Sequence, residues 1–580
     1  MTTIAKLLVA NRGEIALRVM RTAKEMGIAT VAIYSDADRD ALHVRYAGEA
    51  YALGGTSPSQ SYLNAEKILD VARRSGAQAL HPGYGFFAEN SEFARSVIEA
   101  GLIWVGPHPE AIDAMGDKLR ARTAMVKAGV PVVPGDLRAI ENADAARRAA
   151  AEFGLPLALK AAAGGGGKGL KVARSLDEVE SAFATARREA EAYFKNGTIY
   201  AERYLDNPKH VELQVLADKH GTVVHVGERD CSLQRRHQKL WEETPASISK
   251  KVRRAMRDAG VRAARAIGYD SAGTIECLVS GDEFFFLEMN TRIQVEHTVS
   301  EMVSGLDLVR EQIRIASGER LGYGQDDVEL RGHSIEVRIN AEDPANNFAP
   351  APGTITRYRE PGGPGIRVDS AAFDGMTITP DYDSLIAKLV VWASTRDGAL
   401  ARLRRALDEF RIEGVATTIP ILQALVDEPS VHEATYGTAT LEAFAARAPL
   451  MQQAAEASPS SAAEPGVIRV EVNDKLFRVR VLDAPQAGSG PAPARRPPRL
   501  ESRAAASHAN ENSILAPMHG VVVEISAKPD DAVESGGLVA VIEAMKMMNE
   551  IRAPRAGTIA AVKVAVGQTV EAGAELMTFA

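Results

Sequence analysis

The feature that most constrains this chain is a break in texture after Leu450, where segments unable to build a core separate two regions that can. Residues 451–465 are rich in Ala and Ser. Residues 484–510 are rich in Pro, Ala and Arg and include Pro491-Ala492-Pro493-Ala494-Arg495-Arg496-Pro497-Pro498. Neither has a helical or strand period, so residues 448–510 read as linker. Within them, residues 466–482 alternate Val, Ile and Phe with charge, which predicts a β-hairpin turning at Asn473-Asp474. Treated as coil, residues 484–510 span about 25 to 30 Å, enough for a tethered domain to travel between distant sites.

Beyond the linker, Ser513 to Ala580 reads as a small β-domain, with short Val/Ile runs separated by turn signals at Lys528-Pro529-Asp530-Asp531, Ser535-Gly536-Gly537 and Arg555-Ala556-Gly557. It is internally duplicated: Ala516-Pro517-Met518-His519-Gly520-Val521 is echoed by Ala553-Pro554-Arg555-Ala556-Gly557-Thr558. Lys546 falls near the hairpin expected between the two copies, flanked by Met545, Met547 and Met548.

Ahead of the linker the fold class is α/β. Lys6 to Ala10 reads as a strand, Glu14 to Met26 as an amphipathic helix and Thr30 to Tyr34 as a second strand, so residues 4–115 predict a parallel sheet covered on both faces. From about 120 to 330 the pattern is more hairpin-like, with strands at Tyr200 to Tyr204, His210 to Ala217 and Val223 to Glu228. Residues 333–447 mix strands at Ser334 to Asn340 and Leu385 to Trp392 with a helix from Arg396 to Phe410. With 580 residues, several cores are expected.

A formal charge of -8 and no long basic block argue against nucleic-acid binding. Two cysteines, Cys231 and Cys277, make no disulfide framework and point to a reducing cytosol. The apolar run Leu7 to Ala10 is too short for a signal peptide, and no run of apolar residues is long enough to span a membrane.

Two segments carry chemistry. Gly164-Gly165-Gly166-Gly167-Lys168-Gly169 ties the expected strands Leu157 to Ala162 and Leu170 to Ala173, so backbone amides and a cation could fold over phosphates. A simple turn is the bland alternative. It is not a Walker A loop, since no Gly-Lys-Ser/Thr ending or following helix is present, and no G-x-G-x-x-G fingerprint opens a helix after the first strand. The second segment runs from Phe284 to His297. If extended, it aligns Glu288, Asn290, Arg292, Gln294 and Glu296 on one face, either as a solvated strand edge or as a polar site. A hairpin turning near Ser280-Gly281-Asp282 brings Glu276 beside Glu288, and two carboxylates with an amide oxygen suit Mg²⁺.

Together these segments resemble the ATP-grasp biotin carboxylases. The resemblance rests on the run Glu288 to His297, on His81-Pro82-Gly83-Tyr84-Gly85, Arg229-Asp230-Cys231-Ser232 and Gln234-Arg235-Arg236-His237-Gln238-Lys239, and on Glu336 to Pro344. It covers about residues 4–447. It implies an N-terminal parallel α/β domain (1–117), an ATP-grasp domain (118–330) and a C-terminal α+β domain (331–447). Residues 511–580 resemble the all-β biotinyl carrier domains through Ala544-Met545-Lys546-Met547. A lipoyl carrier has the same architecture but usually lacks the methionine flanks. The layout resembles the α subunit of bacterial acyl-CoA carboxylases, especially actinobacterial ones. With no carboxyltransferase domain before Ala580, a pyruvate carboxylase or single-chain acetyl-CoA carboxylase is not expected.

The resemblance implies ATP binding by Lys118, Lys160, Gly164, Gly165, Gly166, Gly167, Glu202, His210, Gln234, His237, Glu276 and Glu288. Mg²⁺ or Mn²⁺ would sit on Glu276 and Glu288 with Asn290. Bicarbonate would meet Lys239, Arg292, Gln294, the Val295 backbone and Glu296, with Glu296 as base. Arg338 and Tyr84 would receive biotin, and Lys546 would carry it covalently. Implied partners are a carboxyltransferase β subunit, biotin protein ligase and further copies of the chain, with no nucleic acid or membrane. Competing readings are an ATP-grasp ligase acting on another carboxylate and a non-catalytic biotin carrier. His297 and the two cysteines are read as packing residues.

Overall fold

A computed structural model describes residues 3–136, 138–162, 169–194, 196–236, 238–447, 467–472, 475–480, 512–517, 520–544, 547–571 and 573–580. The expectations for Gly164 to Gly167, His237 and Lys546 therefore lie outside the described residues. The chain divides into two compact units, one built on residues 1–448 and the other on the C-terminal strands.

The first unit begins with a five-stranded parallel sheet ordered Glu49–Ala52, Ala29–Tyr34, Lys6–Val9, Ala79–His81, Ile103–Trp104. Alternation sends Leu7 and Val9 to the face packed by Ile15, Val19 and Met20 of the helix Gly13–Glu25. Leu8 goes to the opposite face with Ile68 and Val71. The central strand is thus buried on both sides, as a parallel sheet requires. Two loops leave the carboxyl ends of neighbouring strands: one opens the helix bearing Glu14, the other carries Tyr84. Asn11 Nδ2 pins the second by donating to the carbonyls of Pro82 (2.7 Å) and Tyr84 (2.8 Å). Gly83, at φ +64°, is needed there, since a Cβ would lie 2.9 Å from that amide nitrogen.

A three-stranded antiparallel sheet, Leu170–Ala173, Leu157–Ala161 and Ile199–Arg203, carries the helices Ala143–Phe153 and Val179–Phe194. Leu157 and Leu159 pack with Ala146, Ala149 and Ala186, which leaves Lys160 and Glu202 to the other face. The expected glycine-rich connection therefore joins two adjacent antiparallel strands.

The largest sheet has eight antiparallel strands ordered Glu283–Asn290, Ser271–Ser280, Lys209–Ala217, Val223–Arg235, Gln238–Thr244, His333–Asn340, Leu385–Ala393, Ile366–Ser370. It runs unbroken across residue 330, so strands on either side of that position share one surface. Val211, Leu213 and Val215 face the helix Lys250–Ala266, which supplies Val252, Met256 and Ala259. By alternation the same strand turns His210, Glu212 and Gln214 the other way. Farther along the sheet, the helices Arg396–Glu409 and Ile419–Val426 pack on Ile335, Val337, Leu389 and Val391.

The C-terminal unit contains two four-stranded antiparallel sheets: Ser513–Leu515, Glu575–Phe579, Gly557–Val562, Ala532–Val533; and Met547–Arg552, Leu538–Ala544, Gly520–Ile525, Thr569–Val570. Val522, Val539, Ile542, Ile559, Leu576 and Met577 fill the space between them. The duplication shows in the fold. Ala516 and Ala553 are both buried, and the matching glycines, Gly520 and Gly557, each open a strand in a different sheet. The strands flanking residues 545–546 are neighbours, as expected for a hairpin there. The linker hairpin forms as Val467–Val472 paired antiparallel with Lys475–Arg480. Among the described residues no helix is long and apolar enough to cross a membrane.

Candidate active site

A cleft of about 590 Å³ in the first unit is lined by loops of the parallel sheet, the inner face of the three-stranded sheet and the charged face of the eight-stranded sheet. It gathers most of the residues expected from sequence.

Glu276 and Glu288 stand directly opposite each other on adjacent strands. The hairpin turns at Gly281-Asp282 with Ser280 facing Glu283, a register that would set Leu287 against Glu276. A bulge at Leu287 adds one residue and delivers Glu288 instead. Burial, and then the charge of Glu276, push the Glu288 carboxyl up. Glu288 makes no ion pair among the described residues, so this carboxylate pair invites a cation. Burial also opposes charge on Glu276, but Lys239 and His210 outweigh it and hold that carboxyl well below the usual range. Glu276 Oε1 accepts from Lys239 Nζ (3.0 Å), Asn290 Nδ2 (2.9 Å) and Gln294 Nε2 (2.8 Å), and its Oε2 lies 3.0 Å from His210 Nε2.

Beyond Asn290 the expectation of a continuous extended segment does not hold. The strand ends at Asn290, and residues 291–296 turn away. Pairing with Ser271–Ser280 ends at Thr274, the Thr291 amide goes to Glu89 Oε1 (3.1 Å), and Ile293 is drawn into the core beside Leu308 and Ile313. The polar residues converge nonetheless, because Glu296 becomes the N-cap of the short helix His297–Ser304. Arg292 donates to Asn290 Oδ1 (2.9 Å) and Glu89 Oε2 (2.8 Å), so the Asn290 oxygen faces a guanidinium in this structure.

Glu296 is held between two cations: Oε1 accepts from Lys239 Nζ at 2.6 Å and Oε2 from Arg338 Nη2 at 3.0 Å. Burial works against its charge, yet Lys239, Arg338 and Arg229 hold its carboxyl well below the normal range. Lys239 also donates to Glu212 Oε2 (2.6 Å). It therefore occupies the middle of the buried group His210, Glu212 and Glu276, whose donor atoms are close enough for a metal. An ammonium there disfavours a divalent ion within that group, whereas Glu288, which has no ion-pair partner among the described residues, could hold one together with Glu276.

At the other wall Lys160 pairs with Glu202, which also accepts from Arg122 Nη1 at 2.6 Å. Lys118 begins the helix Lys118–Lys127, and burial lowers its ammonium pKa. Gln234 lines the cleft beside these groups, and the Tyr84 hydroxyl donates to Glu14.

Family models match most of the chain: "Biotin carboxylase, N-terminal domain" over 3–112, "Carbamoyl-phosphate synthase L chain, ATP binding domain" over 117–323, "Biotin carboxylase C-terminal domain" over 336–443 and "Biotin-requiring enzyme" over 512–579. The biotin-dependent acyl-coenzyme A carboxylase alpha3 subunit of Mycobacterium leprae is 45% identical over 99% of this chain and 98% of its own length. The chain belongs to the biotin-dependent carboxylases. It is a biotin carboxylase fused to a biotin carrier domain. Biotin carboxylase 1 of Bacillus subtilis is 51% identical over 76% of this chain and 99% of its own. The solved biotin carboxylase domain of Hydrogenobacter thermophilus 2-oxoglutarate carboxylase, in complex with MgADP, ADP and bicarbonate, superposes with a TM-score of 0.74. It is 50% identical and covers 77% of this carboxylase and 98% of that chain.

Several residues of the carboxylase site were not singled out from sequence. Arg229, inside a motif that carried the resemblance, is fully buried and donates to Glu212 Oε1 (2.6 Å) and Gln294 Oε1 (2.7 Å), so it orients both. Glu242 accepts from Arg338 Nε at 2.7 Å, and burial pushes its carboxyl up to about 7. Arg122 and Glu89 similarly hold Glu202 and Arg292. Arg229, Glu242 and Arg122 lie in elements that carry other polar residues, and Glu89 lies in a turn, so nothing in the local sequence names their partners. His297 is buried with Nδ1 2.7 Å from the Gln294 carbonyl, and burial drives its pKa well down, as a neutral core histidine requires. Burial raises both cysteine thiols, which keeps them protonated.

Proposed function

We propose that this cleft binds MgATP and bicarbonate and carboxylates biotin carried on Lys546. The observation that carries the reading is Glu296, a buried carboxylate gripped by Lys239 and Arg338 beside the Glu276–Glu288 pair. Glu276 and Glu288 fit a divalent ion, which supplies charge neutralisation of the ATP phosphates. Lys118, Lys160 and the Gly164–Gly167 loop meet the phosphates; Glu202, His210, Gln234 and His237 complete the nucleotide site.

Bicarbonate binds to Lys239, Arg292, Gln294 and the Val295 amide, and competes for the donors that hold Glu296. Losing those partners raises the Glu296 carboxyl toward the range a working base needs. Glu296 then takes the bicarbonate proton, the freed oxygen attacks the γ-phosphorus, and ADP leaves. The resulting carboxyphosphate breaks to CO₂ and phosphate; phosphate removes the biotin ureido proton and the nitrogen attacks CO₂. Arg338, with Tyr84 at the same wall, stabilises the ureido oxygen as it gains charge. Transfer to an acyl-CoA belongs to a separate carboxyltransferase subunit, biotin protein ligase loads Lys546, and the chain works in the cytosol as a homo-oligomer within that complex.

The purified chain is expected to cleave ATP with Mg²⁺, bicarbonate and biotin all present, and to carboxylate no acyl-CoA by itself. Acyl-CoA carboxylation by the chain alone, or ATP cleavage driven by another carboxylate in place of bicarbonate, contradicts the reading. Arg338→Ala is expected to uncouple the two halves. Phosphate release survives in part while carboxybiotin falls by roughly 10²- to 10³-fold, the scale of losing one oxyanion stabiliser. The check is the ratio of phosphate released to free biotin carboxylated; an unchanged ratio removes Arg338 from the biotin step.

A further inference from the structure

Lys388 lies on the strand Leu385–Ala393 directly opposite Arg338 and is completely buried. A lysine ammonium is costly to bury, so its partners indicate what it is for. Asp369 faces it at 3.8 Å, but both oxygens of that carboxylate are taken by Arg367 in a bidentate pair at 2.7 Å. Its closer contacts are the Val295 carbonyl, to which Nζ donates at 3.0 Å, and Glu14 Oε2 at 3.3 Å. The other oxygen of Glu14 accepts from the Tyr84 hydroxyl.

The Val295 carbonyl belongs to the turn that presents Glu296. The carbonyls on either side are satisfied locally: that of Gln294 lies 2.7 Å from His297 Nδ1, and that of Glu296 accepts from the Val299 amide at 3.3 Å. Val295 has Lys388 as its partner, from a strand 93 residues away. Because the peptide is planar, fixing this carbonyl also fixes the Glu296 amide and with it the Cα from which the Glu296 side chain departs.

We propose that Lys388 is a positioning residue for the reaction. It locks the Val295–Glu296 peptide so that Glu296 is held toward bicarbonate, and through Glu14 it ties that turn to Tyr84 at the biotin end. This rests on the reading of Glu296 as the base. Burial pushes the Glu14 carboxyl up to about 7 against the pull of Lys388, so Glu14 can become neutral once the ammonium is removed.

The test compares full-length Lys388→Met with the double variant Glu14→Gln/Lys388→Met. The double variant removes both members of a buried pair and so avoids leaving one charge stranded. Lys388→Met is expected to lower kcat for bicarbonate-dependent ATP cleavage by about 10- to 100-fold, the scale of a slightly misplaced reacting group, and to raise KM for bicarbonate while leaving KM for MgATP unchanged. The double variant should regain thermal stability without regaining kcat. If kcat returns together with stability, or KM for MgATP rises in step with that for bicarbonate, Lys388 only supports the fold. If neither variant folds, the positioning assignment also falls. Wild-type kinetics in Lys388→Met beside an inactive Glu296→Gln overturns the positioning alone, whereas an active Glu296→Gln overturns the base.

Discussion

Glu296→Gln is expected to reduce bicarbonate-dependent ATP cleavage by something on the order of 10² or more, the scale of removing a general base. Glutamine keeps the volume and can still accept at one atom, so packing around the His297–Ser304 helix should persist. What disappears is the site for the bicarbonate proton. The same change removes a negative charge from between Lys239 and Arg338, which approach it at 2.6 and 3.0 Å. Those donors become more available to an anion, so KM for bicarbonate should stay level or fall while kcat collapses. Steady-state phosphate release over a bicarbonate titration separates the two parameters. A large rise in KM with kcat preserved would mean that Glu296 only shapes the anion site.

The chemistry was more legible in the sequence than the architecture that holds it. The alternation of His210, Glu212 and Gln214 with Val211, Leu213 and Val215 is readable directly, and so is the hairpin that brings Glu276 to Glu288. The bulge at Leu287 is not, since an extra residue leaves no mark in an aromatic run. Nor is the departure from the sheet after Asn290: Glu288, Asn290, Arg292, Gln294 and Glu296 alternate perfectly, yet burial of Ile293 and the end of strand pairing turn the chain. The buried cations Arg229 and Arg122 and the carboxylate Glu242 sit among other polar residues of their elements, so nothing local marks them until tertiary structure supplies partners. Lys388 is the extreme case, a charge inside Leu385 to Ala393 whose acceptor lies in a turn distant in sequence. The duplicated carrier domain was legible from Ala516 to Val521 and Ala553 to Thr558, because each copy runs from an alanine to a glycine that opens a strand.

Lys546, the proposed site of biotin attachment, falls in the interval between the adjacent strands Leu538–Ala544 and Met547–Arg552. A lysine amide is a specific attachment, so Lys546→Arg should abolish loading outright while leaving the carboxylase cleft able to act on free biotin. The full-length chain from biotin-supplied cells is incubated with MgATP and ¹⁴C-bicarbonate, and label bound to protein is measured and mapped. ATP-dependent label is expected on the biotinylated Lys546 peptide and none on the Lys546→Arg chain. Label that persists in Lys546→Arg, or its absence from a biotinylated wild-type chain that is cleaving ATP, would contradict carboxylation of the chain's own carrier.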